Sequence, residues 1–290
     1  MFTKMLVATD LSQASDQVVC ALAGLKALKT RQALLVHCLN IRDVGTLANQ
    51  LTALAQPTLD RQKRLLEELG FETEARIVLG LPHAEVNRIA EEAGASMIVV
   101  GSHGQTMASE ILLGGVASAV INSASKPVLL LRLRLRREED GRAVCEPADC
   151  DPLRHVLFPT DFSDNAEHAF AFVRQIAEVG ARRITLLHVQ DEAKLSPHLS
   201  DRLEEFKRID TDRLTRLKHE LEGLGVADVQ IEIPYGSPKK EIIARTRGDV
   251  SLVVMGSQGR GFLAELFLGS VSLAVARRSE APVLLVPQIR

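Results

Sequence analysis

The stretch Val253–Ser270, VVMGSQGRGFLAELFLGS, decides how the whole chain is read. An apolar run ending at Met255 stops abruptly at Gly256. Gly259 follows, and nine residues later Gly269-Ser270 opens an apolar segment with helical spacing. This order predicts a buried strand, a glycine turn, a short excursion and a helix that starts at a Gly-Ser step. Glycine lets a backbone turn through positive φ and come close to a ligand. A helix N-terminus presents unpaired N–H groups and the positive end of the helix dipole, which together suit a phosphate. The Ser270 hydroxyl adds one more donor. Two glycines alone mean no more than a tight strand–loop–helix turn. The full spacing, G-x2-G-x9-G-S after a buried strand, favours a loop that holds a phosphate.

Working outward, the same pattern occurs earlier in the chain. Ala95–Gly104, ASMIVVGSHG, matches Val250–Gly259, VSLVVMGSQG. Lys4–Ser12, KMLVATDLS, matches His155–Ser163, HVLFPTDFS, and Ala33–Asn40 matches Ile184–Asp191. Lys126–Leu131, KPVLLL, matches Ala281–Val286, APVLLV. Asp10 and Asp161 are 151 residues apart and Gly101 and Gly256 are 155 apart, so the copies differ by a short insertion. The chain reads as one unit used twice: residues 1–135, a polar linker over 136–152, and residues 153–290. In each copy, apolar runs alternate with segments of helical period. That predicts an α/β protein of two tandem doubly wound domains, each a five-stranded parallel sheet flanked by helices. Pro57 is expected to interrupt or kink the long second helix, Thr46–Leu69. Arg132, Arg134 and Arg136 alternate and read as the solvent face of the last strand of the first copy running into the linker, with an anion patch as the alternative.

Composition removes several classes of function. With 35 basic and 37 acidic residues the net charge is −2, which argues against a nucleic-acid binder. Trp is absent and aromatic residues are only 3%, so stacking platforms for single strands are not expected. No apolar run has the length of a membrane span, and the N-terminus lacks the pattern of a signal peptide. A cytoplasmic location, with no membrane association, is the expectation. Cys20 and Cys38 lie in apolar contexts and read as small core residues. Cys145 and Cys150 lie in the linker and make no metal set by themselves. No metal-ligand spacing, Walker lysine step or nucleophile elbow occurs, so no catalytic residue and no metal ligand is nominated.

In an open parallel sheet, ligands bind beyond the carboxyl ends of the strands where the strand order reverses. Asp10 and Asp161 end the first strands, Cys38 and Val189 lie near the ends of the second, and the glycine loops follow the fourth. Each aspartate has two readings, a cap for the next helix or a partner for a ribose hydroxyl. His37 and His188 lie inside apolar strands and read as satisfied core histidines. The first loop has Gly101, Gly104 and Gly114, but Gly115 replaces the hydroxyl residue. A lost hydrogen bond to a charged group costs roughly 1.5–3 kcal/mol, about one to two decades in affinity. The second copy is therefore expected to bind more tightly.

These residues resemble the universal stress protein family in its tandem form. VATDLS, FPTDFS, GSHG and GSQGRG carry the resemblance, together with the Gly-Gly or Gly-Ser step nine residues later. The resemblance implies a strand order of 3-2-1-4-5 and binding of an adenine nucleotide, ATP or AMP, with or without Mg²⁺. By the same resemblance Asp161 lies near the ribose and adenine, Val189 contacts the adenine through its backbone, and Gly256, Gly259, Gly269 and Ser270 hold the phosphates. Asp10, Gly101, Gly104 and Gly114 match more weakly. The fifth strands are implied to pair as an intramolecular pseudo-dimer, with a homodimer of chains left open. The function expected is a stress-response protein that senses a nucleotide. An interaction scaffold independent of nucleotide, or a slow ATP hydrolase using Asp161 or His188 as base, are the alternatives.

Overall fold

Strands buried on both faces of a parallel sheet are near-continuous apolar runs, and the central strands of both units are of that kind. The computed structural model describes residues 2–41, 47–102, 113–137, 143–147, 151–195, 202–259 and 268–288. Two compact units result, one on Met1–Cys150 and one beginning at Asp151.

In the first unit β1 (Lys4–Thr9) leads to α1 (Gln13–Ala21), which tightens into a 3-10 helix over Leu22–Leu28. Then come β2 (Gln32–Asn40), α2 (Ala48–Glu68), β3 (Glu72–Gly80) and α3 (Pro82–Glu92). β4 (Met97–Gly101), α4 (Gly115–Ser123) and β5 (Val128–Leu131) complete the sheet. The strand order is β3-β2-β1-β4-β5, all parallel. Met5 of the central strand pairs with Ala33 on one side and Met97 on the other.

The second unit repeats this plan. It runs β8 (Val156–Pro159), α5 (Asp164–Glu178), β9 (Arg183–Leu187), the short β10 (Gln190–Asp191) and α6 (Glu192–Leu195). Next are α7 (Leu203–Gly223), β11 (Asp228–Glu232), β12 (Tyr235–Gly236) and α8 (Pro238–Arg245). β13 (Leu252–Gly256), α9 (Ser270–Arg278) and β14 (Val283–Val286) close it. The order is β11-β9-β8-β13-β14, again the 3-2-1-4-5 arrangement. Reversal of strand direction of growth at β8 and β13 leaves the ends of these two strands beside each other at the carboxyl edge, where the glycine loop emerges.

Five sequence expectations change. α2 continues unbroken past Pro57. Pro57 and Ala53, whose carbonyl loses its helical partner, are both exposed, so the gap in the hydrogen-bond ladder falls on the solvent side of the helix. Cys20 is exposed on α1, away from the buried stripe of Ala14, Val18 and Ala21. Cys38 is half-buried, and burial, then the nearby Glu85 charge, push its thiol up to about 11. Arg132 is buried rather than on a solvent face, and burial lowers it to about 10. Beyond Arg132 the expected linker contains β6 (Leu133–Arg137) paired antiparallel with β7 (Ala143–Pro147).

At the opposite edge of the second sheet, Arg183 Nε donates to Asp228 at 2.6 Å and Nη1 to Asp249 at 2.7 Å. His155 Nδ1 lies 3.1 Å from Asp249, and its Nε2 is 2.8 Å from the Thr185 hydroxyl. The Arg183 guanidinium holds the Asp228 carboxyl below the usual range. At Asp249 partial burial acts upward, but the His155 hydrogen bond and the charges of His155 and Arg183 win and hold it low. Depressed carboxylates stabilise the fold above their unfolded value, about 3.9, and lose that contribution as pH falls through the folded value. Thermal melts from pH 7 to pH 3 should therefore show the wild-type midpoint falling below about pH 4. The Arg183→Ala curve should start lower at pH 7 and converge with it in acid. Both aspartates are well exposed, so the gap should be modest.

Candidate functional site

The turn after the first strand is built identically in both units. Phe162 and Leu11 take left-handed backbone, φ 57 and 61. That conformation is uncommon for bulky residues. The Thr160 hydroxyl accepts the Phe162 N–H at 3.0 Å, and Thr9 accepts Leu11 at 3.1 Å. Asp161 Oδ1 accepts the Ser163 N–H at 3.1 Å, and Asp10 Oδ1 accepts that of Ser12 at 3.0 Å. Ser163 and Ser12 then cap α5 and α1, accepting the N–H of Ala166 and of Ser15, both at 3.2 Å. In the second unit the Phe162 ring lies 4.6 Å from that of His188, with the Arg213 guanidinium 5.1 Å from its centroid.

The second strand is pinned to the first by its histidine. His188 Nδ1 faces the Thr160 carbonyl at 2.8 Å, and His37 Nδ1 faces the Thr9 carbonyl at 2.9 Å. A carbonyl only accepts, so Nδ1 carries the proton in each ring. His188 Nε2 lies 3.5 Å from Asp210, which also accepts from Gln190 at 3.2 Å. With Nδ1 bonded to the Thr160 carbonyl and one face under Phe162, His188 fixes the position of the strand end. β9 stops at Leu187, one step before His188, and Val189 is buried between it and β10.

The glycine loop closes on itself and on this turn. Ser257 N–H donates to Val286 and Gly269 N–H to Ser257, both at 2.8 Å, so the two ends of the excursion meet. A Cβ at Gly269 would lie 3.3 Å from Gln258 Cα and 3.4 Å from the Ser257 carbonyl. A Cβ at Gly259 would lie 2.7 Å from Asp161 Oδ2. The two readings of Asp161 are therefore compatible, since one carboxylate oxygen shapes the turn and the other lies against the loop. α9 starts at Ser270 behind Gly269 without a capping side chain, and Ser270 is exposed. Among the described residues, no side-chain hydrogen bond comes from the N-cap position of α9.

In the first unit, Ser102 N–H donates to Leu131 at 2.9 Å and Gly114 N–H to Ser102 at 3.2 Å, which forms the same neck. Gly101 ends β4, and Gly114 precedes Gly115 at the start of α4. Gly104, Arg260, Gly261 and Cys150 lie outside the described residues.

Two polar side chains at the second loop had not been singled out from the sequence. Asn165 Nδ2 donates to the Gln258 carbonyl at 3.0 Å, and the Ser272 hydroxyl donates to that of Gly256 at 2.8 Å. Laying one copy over the other exposes them, because the matching residues in the first unit are Ala14 and Ala117. The first unit has a buried polar cluster instead. Gln62, on α2, accepts from the Thr9 hydroxyl at 2.8 Å and donates to Ser15 at 3.0 Å and to Asp16 at 2.7 Å.

A doubly wound α/β unit, used twice, with an aspartate turn facing a glycine loop at its carboxyl edge defines a class of protein. The chain belongs to the Universal stress protein family, whose sequence pattern matches residues 1–132 and 152–287. It is 32% identical over 155 residues to a universal stress protein of Methanocaldococcus jannaschii, covering 46% of this chain and 96% of that one. It is 25% identical over 314 aligned positions to a universal stress protein of Mycobacterium tuberculosis, covering 98% and 97% of the two chains. A universal stress protein of Archaeoglobus fulgidus shares the fold with a TM-score of 0.76 at 24% identity, covering 99% of each chain. No helix among the described residues is long and apolar enough to cross a membrane.

Proposed function

We propose that the chain is a cytoplasmic stress-response protein whose second unit binds an adenine nucleotide, ATP or AMP. The observation that carries this reading is the approach of Asp161 Oδ2 to Gly259, 2.7 Å from where a Cβ would stand. A ribose-binding carboxylate and a phosphate-binding loop thereby share one site. The backbone at Val189 is proposed to meet the base, and the N–H groups behind Gly256, Gly259 and Gly269, with the Ser270 hydroxyl, to meet the phosphates. Asp10, Gly101, Gly104 and Gly114 form a weaker version in the first unit. Pairing of the two fifth strands within one chain, as a pseudo-dimer, is part of the same proposal. Sedimentation separates it from a homodimer of chains.

Calorimetric titration with ATP and with AMP, each with and without Mg²⁺, tests binding. Unit 1 offers an internal check. A Cβ at Gly115 meets nothing within 4 Å, so Gly115→Ser fits and places a hydroxyl where Ser270 has one. The variant should strengthen the weaker site about tenfold and leave the stronger site unchanged. Unchanged weak-site affinity would mean that the hydroxyl is not what separates the units.

A further inference from the structure

We infer that Asn165 is a positioning residue that sets the shape of the second glycine loop, and that its amide leaves no room for a side chain at Gly256. Asn165 is the second residue of α5 and is buried, 5% exposed. Its Nδ2 donates to the carbonyl of Gln258, which lies between the first two glycines of the motif. The acceptor is a carbonyl, so the atom facing it must be the NH₂ group. Its Oδ1 is buried with no hydrogen-bond partner among the described residues, which leaves the loop as the group this amide serves.

The approach is close enough to restrict the neighbouring residue. A Cβ at Gly256 would stand 2.8 Å from Asn165 Nδ2, 3.1 Å from its Cγ and 3.1 Å from the Gln258 carbonyl. From the other side, Ser272 holds the Gly256 carbonyl. Residues 256–258 are thus gripped from α5 and α9 at once. Ala14 and Ala117 replace both grips in the first unit, which makes the second loop the better preorganised of the two. The inference rests on the nucleotide proposal only for its binding readout.

A double-mutant cycle on the full chain tests it. Asn165→Ala, Gly256→Ala and the double variant are followed by denaturant unfolding and by ATP titration. Asn165→Asp, which keeps the shape but removes the donor, serves if Asn165→Ala is insoluble. Asn165→Ala and Asn165→Asp should each weaken ATP binding about five- to tenfold. The stability penalty of Gly256→Ala should be at least halved in the Asn165→Ala background, because the amide that the new methyl meets is gone. Equal penalties in both backgrounds would overturn the inference. So would ATP binding that is intact in the wild type and unchanged in both Asn165 variants. If the wild type itself takes up no ATP, the nucleotide proposal falls, and the unfolding cycle still decides for Asn165: coupling supports it and additivity overturns it.

Discussion

Gly259→Val should leave the fold standing and reduce nucleotide affinity in the second unit by at least ~100-fold. The residue is exposed and lies outside any helix or strand, so packing loss is small. Its first side-chain carbon would stand 2.7 Å from Asp161 Oδ2, closer than real Cβ atoms come to anything. Either the carboxylate must leave the loop or the loop must leave the carboxylate, and both motions separate the proposed ribose and phosphate contacts. Two charge-assisted hydrogen bonds at roughly 1.5–3 kcal/mol each account for the size of the effect. Circular dichroism checks the fold and titration checks the affinity. A variant that binds within about threefold of wild type would show that Asp161 and Gly259 do not serve one ligand.

Phe158→Ala should cost the second unit about 3–5 kcal/mol. Phe158 is fully buried in the central strand, its ring centroid 5.4 Å from that of Phe170 on α5. Truncation leaves a cavity between the sheet and that helix, and close-packed surroundings relax only in part. The same strand continues directly into Pro159, Thr160 and Asp161, so loosening is expected to reach the site. Tyr235 is the sole tyrosine, Trp is absent, and Tyr235 lies in the second unit, so tyrosine emission follows this unit alone during urea unfolding. A loss under about 1 kcal/mol would mean that the two rings do not anchor the helix to the sheet.

The central strands and the duplication are legible in the sequence because doubly buried strands are apolar runs, and the first and fourth of each unit stop at an Asp turn or a Gly. The aspartate turn is half legible. Both residues that follow it, Leu11 and Phe162, adopt left-handed backbone that their side chains do not advertise. The capping and ligand readings of Asp161 compete on paper, and the geometry leaves room for both by using one oxygen in the turn and setting the other beside Gly259. Asn165 and Ser272 are hidden because a polar residue near a helix start is ordinary, and its partner here is a backbone carbonyl far along the chain. The apolar neighbours of Cys20 suggest burial, but the helical stripe through Ala14, Val18 and Ala21 turns it outward. The charge-rich stretch after Arg132 gives no period that would separate a short hairpin from a linker.

The central claim is that the tight nucleotide site is in the second unit, on the glycine loop and Ser270. Titration of ATP into the wild type beside Ser270→Ala tests it most directly. The account predicts about one equivalent of tight binding, weakened by one to two decades in the variant. Two equivalents of equal affinity, or an affinity that Ser270→Ala leaves untouched, would contradict it.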